Sequence, residues 1–369
     1  MFRFVQPYWG FGLLGVTVVW LAAFRLLPMI SPPTPAAVPT TDDPEFLRIH
    51  GPMIRSLAVG PGGSLHTRNY DHTVKKWSRD GRKLWEITLA TLSSLTPLSV
   101  NDLVVADDGT VNILGITVSH PPQTAIYQIR DQSGVPRVTE LTRIPEFEGA
   151  ALTVLPGGGL LVFGIELTEL QQACRTAKEG ILAQPPVLPL LHEFDPDGER
   201  VRSFRLHRLS ARSVEDLTEE LSDLLETRVV ASPSGDIYLW HPFKPVLEAV
   251  DLRTGDPVGR IPFPYSGVRE AQIWGVNFAS DSRVIYTVVF SPPIGTVTGY
   301  EVRTLDLPTG GSEVVDRSDA SVVVEGWWDP VSQRVALIPK AGGRAEPGSA
   351  SLLGIRYGEL ASTSRFQTP

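Results

Sequence analysis

The side chains able to do chemistry are few and scattered. Phe194-Asp195-Pro196-Asp197-Gly198-Glu199 opens like an oxygen-rich calcium loop, because carboxylates two residues apart converge on a hard cation around a Gly turn. The later ligands of such a loop are missing, and a hairpin turn explains the same residues. His66, Asp71 and His72 hold the types for a metal site or an acid/base pair, although no other carboxylate has a readable spacing to them. Asp107-Asp108 reads as a turn. Cys174 is the single cysteine, so no disulfide within the chain and no thiolate metal cluster is available, and its place on the apolar side of a helix suits a small core residue. Trp274 and the pair Trp327-Trp328 suit either the wall of a ligand funnel or packing between sheets.

The motifs that would supply a nucleophile, zinc or nucleotide are missing. There is no G-x-S-x-G, H-E-x-x-H, G-x-x-x-x-G-K-[ST] or strand-to-helix G-x-G-x-x-G. Pro156-Gly157-Gly158-Gly159 lies between two apolar strand segments and reads as a hairpin. No catalytic residue and no cofactor is assigned from motifs, and the metal question stays open. The chain carries 33 Lys and Arg against 41 Asp and Glu, a net charge of −8, so no broad basic face is available to a nucleic acid.

The elements that must position these side chains are short strands. Of 369 residues, 33 are Gly and 32 Pro, which break helices and punctuate turns. Six turn-strand units recur: Pro61 to Leu65, Asp107 to Val111, Pro156 to Leu160, Pro233 to Ile237, Ser280 to Val284 and Pro330 to Val335. A second turn follows in the first five, as in Phe194 to Gly198 and Val250 to Gly255. Successive units are spaced by 46, 49, 77, 47 and 50 residues, the length of a four-stranded propeller blade with one large insertion.

On these units, carried best by Ser234-Gly-Asp-Ile-Tyr238 with Val250 to Gly255 and by Leu191 to Gly198, the chain resembles the six-bladed β-propellers of the NHL and YncE-like type. The resemblance covers roughly residues 50 to 360. It implies an all-β, six-bladed ring over 43–369 whose closure pairs a strand from the 45–60 region with the last blade. It is silent on function.

The long spacing predicts a helical insertion at about 165–228, between the third and fourth blades. Its first helix has Thr168 and Gln171 as a capping box, with Leu170, Ala173, Cys174, Ala177 and Ile181 at helical intervals and Gly180 as the stop. Its second starts at Ser213, with Leu217, Leu221, Leu224 and Leu225 on one face and six acids on the other. Glu215, Glu219, Glu220 and Asp223 form a candidate surface for a basic partner, against the simpler reading of a solvated face.

The first 30 residues stand apart. Phe4 to Phe24 is a run of 21 residues without a charge, long enough to span a bilayer, with Arg3 favouring a cytoplasmic leading end. The expectation is a transmembrane signal anchor over 1–30, a Pro-rich linker over 31–42 and a propeller on the periplasmic or extracellular side. A cleaved signal peptide is the competing reading. Two function classes follow. One is a membrane-tethered platform binding a protein, peptide or glycan. The other is an exported metal-dependent hydrolase similar to lactonases, whose Glu, Asn and Asp ligands would come from different blades.

Overall fold

A computed structural model of the chain describes residues 54–358 apart from 70–72, 79–81, 90–97, 118–122, 178–180, 183–189, 207–211, 266–270, 291–297, 319–322, 330, 332 and 341–355. Phe4–Phe24, the linker, Asp71, His72 and Gly180 lie outside the described residues. Among those described, no helix is long and apolar enough to cross a membrane.

The repeating units become antiparallel sheets, each an up-and-down meander. The first is β1 (Ile54–Val59), β2 (Leu65–Asn69), β3 (Thr73–Trp77) and β4 (Lys83–Thr88), and the second β5 (Leu98–Val105), β6 (Val111–Thr117), β7 (Gln123–Gln132) and β8 (Val135–Pro145). The third is β9 (Phe147–Val154), β10 (Leu160–Glu166), β11 (Leu190–Phe194) and β12 (Arg200–Arg205), and the fourth β13 (Arg228–Ala231), β14 (Ile237–His241), β15 (Lys244–Val250) and β16 (Pro257–Pro262). The fifth is β17 (Ala271–Ser280), β18 (Arg283–Phe290), β19 (Gly299–Asp306) and β20 (Ser312–Ser318). The last, β21 (Val323–Asp329), β22 (Arg334–Lys340) and β23 (Arg356–Gly358), has three strands among the described residues. The chain is a β-propeller: the first strands touch in order, β1 with β5, β5 with β9, β9 with β13, β13 with β17 and β17 with β21, and β21 returns to β1.

One expectation changes here: among the described residues five blades are complete and the sixth sheet is short, at the unit whose second turn the sequence lacks. The expected pairing of a strand from the 45–60 region with the last blade falls largely on 45–53, outside the described residues; β1 pairs with β2 in its own blade and touches β21 of the last.

Each unit's first turn joins the inner strand to the next one out. Gly109, Gly157, Gly158 and Gly235 sit there at φ between +83° and +96°, a region that strains any residue with a Cβ. Faces that a lone sheet would leave wet are buried between blades. Val74, Trp85, Ile113 and Ile129 fill the gap between the first two, and Tyr238, Phe263, Val284 and Tyr286 that between the fourth and fifth.

Among the described residues two α-helices decorate the ring. α1 (Leu167–Thr176) lies between β10 and β11, inside the third blade, and α2 (Val214–Glu226) between β12 and β13. The insertion is thus split, with only α2 falling between blades three and four. In an up-and-down blade, the second-to-third connection and the exit to the next blade leave from the same end, so both helices stand on one face of the ring. Leu182 N–H donates to the Arg212 carbonyl at 3.0 Å and ties the segments together.

Helix α2 follows its sequence closely. Asp216 N–H donates to Ser213 Oγ at 3.0 Å and Ser213 N–H to Asp216 Oδ2 at 3.2 Å, a complete capping box. Leu217, Leu221 and Leu225 are buried against Phe163, Leu239 and their neighbours, and Leu170 of α1 joins the same cluster. The capping box expected at Thr168 does not form. The helix starts two residues earlier, with Glu166 as N-cap, and Thr168 sits inside it with its hydroxyl on the Glu146 carboxylate. It ends at Thr176, with Ala177 already extended.

Candidate functional site

The inner strand of a blade is a sheet edge, and half its N–H and C=O groups face the channel or the next blade rather than a partner strand. Side chains of the preceding blade meet several of them. Asp102 accepts the Leu152 N–H at 2.9 Å and Asn101 donates to the Gly149 carbonyl at 2.7 Å. Thr287 accepts the Gly326 N–H and Asn277 donates to the Gly326 carbonyl, both at 3.0 Å. Thr153 accepts from Ala231 N–H at 3.2 Å.

These strands enclose a central cavity of about 750 Å³. Trp240, Trp274, Trp327 and Trp328 line it with Asp102, Arg228 and Glu325. Asp102 is half-buried. Burial raises its carboxyl above the ordinary value, against the pull of Arg228, of the Leu152 and Leu103 N–H groups and of Arg68. Arg228 sends Nη1 to the carbonyls of Leu225 and Thr227, both at 3.1 Å, so a cation closes the C-terminal end of α2 and links that helix to the channel. Glu325, 5% exposed, accepts from Trp327 Nε1 at 2.9 Å. Its carboxylate lies over Gly275, where an added Cβ would meet Oε1 at 2.7 Å and push the Glu325 side chain aside.

The residues singled out from the sequence separate under this geometry. Trp274, Trp327 and Trp328 line the cavity, and the expected packing is seen as well, Trp274 and Trp328 on the cluster around Ile285 and Tyr300 and Trp327 on that around Val74 and Trp85. Asp195 serves its own turn, Oδ1 accepting the N–H groups of Asp197 at 3.0 Å and Glu199 at 2.8 Å. Asp108 does the same for Thr110. Cys174 is half-buried beside the α1/α2 cluster, and burial raises its thiol. Among the described residues, no three His, Cys, Asp or Glu side chains converge on a metal position.

The acids of α2 are not equivalent. Glu215 and Glu219 are exposed and Glu220 half-buried, while Asp223 pairs with Lys244 Nζ at 2.6 Å and stands 3.9 Å from His241 Nε2. Asp102, Arg228 and Glu325 were missed in the sequence. Their signal is an acid interrupting an apolar β run, Asp102 in Leu98–Val105 and Glu325 in Val323–Asp329.

His66 is buried between the first two blades, 1% exposed, with neither ring nitrogen hydrogen-bonded and Trp85 at 6.0 Å between ring centroids. Burial, reinforced by Lys76 and opposed by Asp131, pushes its imidazole down to about 3. His192, buried near Arg200, is down to about 4.

No protein-family model matches the chain, and no curated protein matches its sequence. Solved structures do resemble it. Virginiamycin B lyase from Staphylococcus aureus is 12% identical with a TM-score of 0.44 over 79% of this chain and 92% of the other. A streptogramin B lyase is 9% identical, TM-score 0.43, over 80% and 93%, and a protein of unknown function from Bacteroides caccae 14% identical, TM-score 0.42, over 72% and 81%. At these identities and scores the likenesses assign no activity, and the propeller rests on the chain's own sheets.

The buried histidines set a pH dependence. An imidazole with an ordinary value of 6.5 when unfolded and about 3 when folded leaves stability intact above pH 6.5 and removes it progressively as pH falls toward 3. Each such proton contributes a slope of up to about 1.4 kcal/mol per pH unit. Urea unfolding at pH 7, 5.5 and 4.5 is expected to show the loss, with His66→Leu flattening the slope between pH 6 and 4. An unchanged slope in the variant would contradict the burial of a neutral His66.

Proposed function

We propose that the protein is a membrane-tethered propeller outside the cytoplasm that acts as a binding platform, with the face bearing α1 and α2 as its docking surface. The observation that carries this is the placement of both helices. They are added to one face, their leucines are spent on the propeller, and the charged side of α2 is left outward with Glu215 and Glu219 exposed. A ring of sheets needs no such addition to close. The charge-free run Phe4–Phe24 and the Pro-rich segment after it support the tether, and the acids favour a basic protein partner.

Two measurements test the reading. The full-length chain is expected to stay in the membrane fraction through a carbonate wash, and release of a shortened soluble form would replace the anchor with a cleaved signal peptide. Crosslinked membranes at low salt, where exposed charges are least screened, are expected to yield partners that fall away when Glu215, Glu219 and Glu220 become Gln and Asp223 becomes Asn. Asp223 contributes least, since Lys244 already holds it. Partners unchanged in the variant would remove the docking role of α2.

A further inference from the structure

The strand registers show a pattern around the channel. The apolar residues that end the six turn units, Leu65, Val111, Leu160, Ile237, Val284 and Val335, pair with Val59, Val105, Val154, Ala231, Phe278 and Trp328 of the inner strands. Three residues back along each inner strand, at one level of the ring, stand Ser56, Asp102, Ala151, Arg228, Gly275 and Glu325 in blade order. Ionisable side chains occupy blades two, four and six, and small residues occupy blades one, three and five. All but Ala151 line the cavity.

Acid, base and acid alternate round this collar. Asp102 and Arg228 influence one another, yet among the described residues they form no ion pair. Among the described residues both hydrogen bonds of Arg228 leave from Nη1, and the residue lines the cavity. Four of the chain's eight tryptophans stand around the same space. Its 750 Å³ fits within the range of about 300 to 1,000 Å³ usual for small-molecule sites.

A ligand of one net charge would meet an opposing group of its own sign in this collar. A hydroxyl donates and accepts, so a row of hydroxyls satisfies a carboxylate and a guanidinium alike. Indole surfaces supply the flat apolar walls that the C–H faces of a sugar ring need. We therefore propose that the central channel binds a neutral oligosaccharide, with Asp102, Arg228 and Glu325 taking hydroxyls and Trp274, Trp327 and Trp328 taking ring faces. The inference rests on the binding-platform reading and adds a small-ligand site separate from the outer acids of α2.

The test is a tryptophan-fluorescence titration of the full chain in a detergent without a sugar headgroup. The probes are cellotetraose, chitotetraose, maltotetraose and mannotetraose, with tetralysine and tetragalacturonate as charged comparators. At least one neutral tetrasaccharide is expected to give a saturable change, weakened tenfold or more by Glu325→Gln and by Trp274→Phe, each checked for an unchanged unfolding midpoint. The charge-neutralised α2 variant is expected to titrate like the wild type. A charged comparator binding more tightly, a response unmoved by both channel variants, or no saturation by any neutral probe overturns the proposal. The crosslinking of partners through α2 reads a different surface, so its outcome separates a failed saccharide site from a failed platform.

Discussion

Everything in this molecule depends on closing the inner edge of each blade against its neighbour. Blades of a propeller share no continuous ladder, so the first strand of each offers an unpaired row of backbone groups at the most crowded part of the fold. Burying such groups without partners costs about 1 to 3 kcal/mol each. Here the preceding blade reaches over with short polar side chains, Asp102 to Leu152, Thr287 and Asn277 to Gly326, Asn101 to Gly149 and Thr153 to Ala231. These bonds and the apolar clusters between blades hold the ring together, and the space they leave at its centre is the channel.

The same constraint explains why the channel is polar. A carboxylate that reaches an edge amide sits in an otherwise apolar strand and loses part of its water, which is why Asp102 is raised despite two N–H partners and two nearby arginines. Arg228 answers it from the far side of the third blade while closing the last turn of α2. The helix face and the channel thus share one residue, and the decoration on the rim is coupled physically to the centre of the ring.

Much of the architecture was legible in the sequence because it lives in local signals. The turn units at near-50-residue spacing gave the blades. Ser213 as cap, followed by leucines at helical intervals, placed the start of α2 at its N-cap, since a cap and the face behind it are specified by neighbouring positions. The start of α1 was misread because Thr168 and Gln171 also look like a box, whereas the true N-cap, Glu166, is fixed by the preceding strand and by Leu167 N–H on the Glu146 carbonyl. The channel collar was not legible. Asp102, Arg228 and Glu325 are far apart along the chain and meet only through strand registers, which no local spacing encodes. Asp223 was read as an open acid because Lys244 lies in the following blade.

Amide hydrogen exchange at Leu152 and Gly326 tests the edge-closure account most directly. These N–H groups sit on inner-strand edges, and the account predicts that they exchange as slowly as the doubly paired amides of Ile113 and Val288, with Asp102→Ala releasing Leu152 while Gly326 stays protected. Exchange of both amides at the rate of an open strand edge, or protection of Leu152 unchanged in Asp102→Ala, would contradict it.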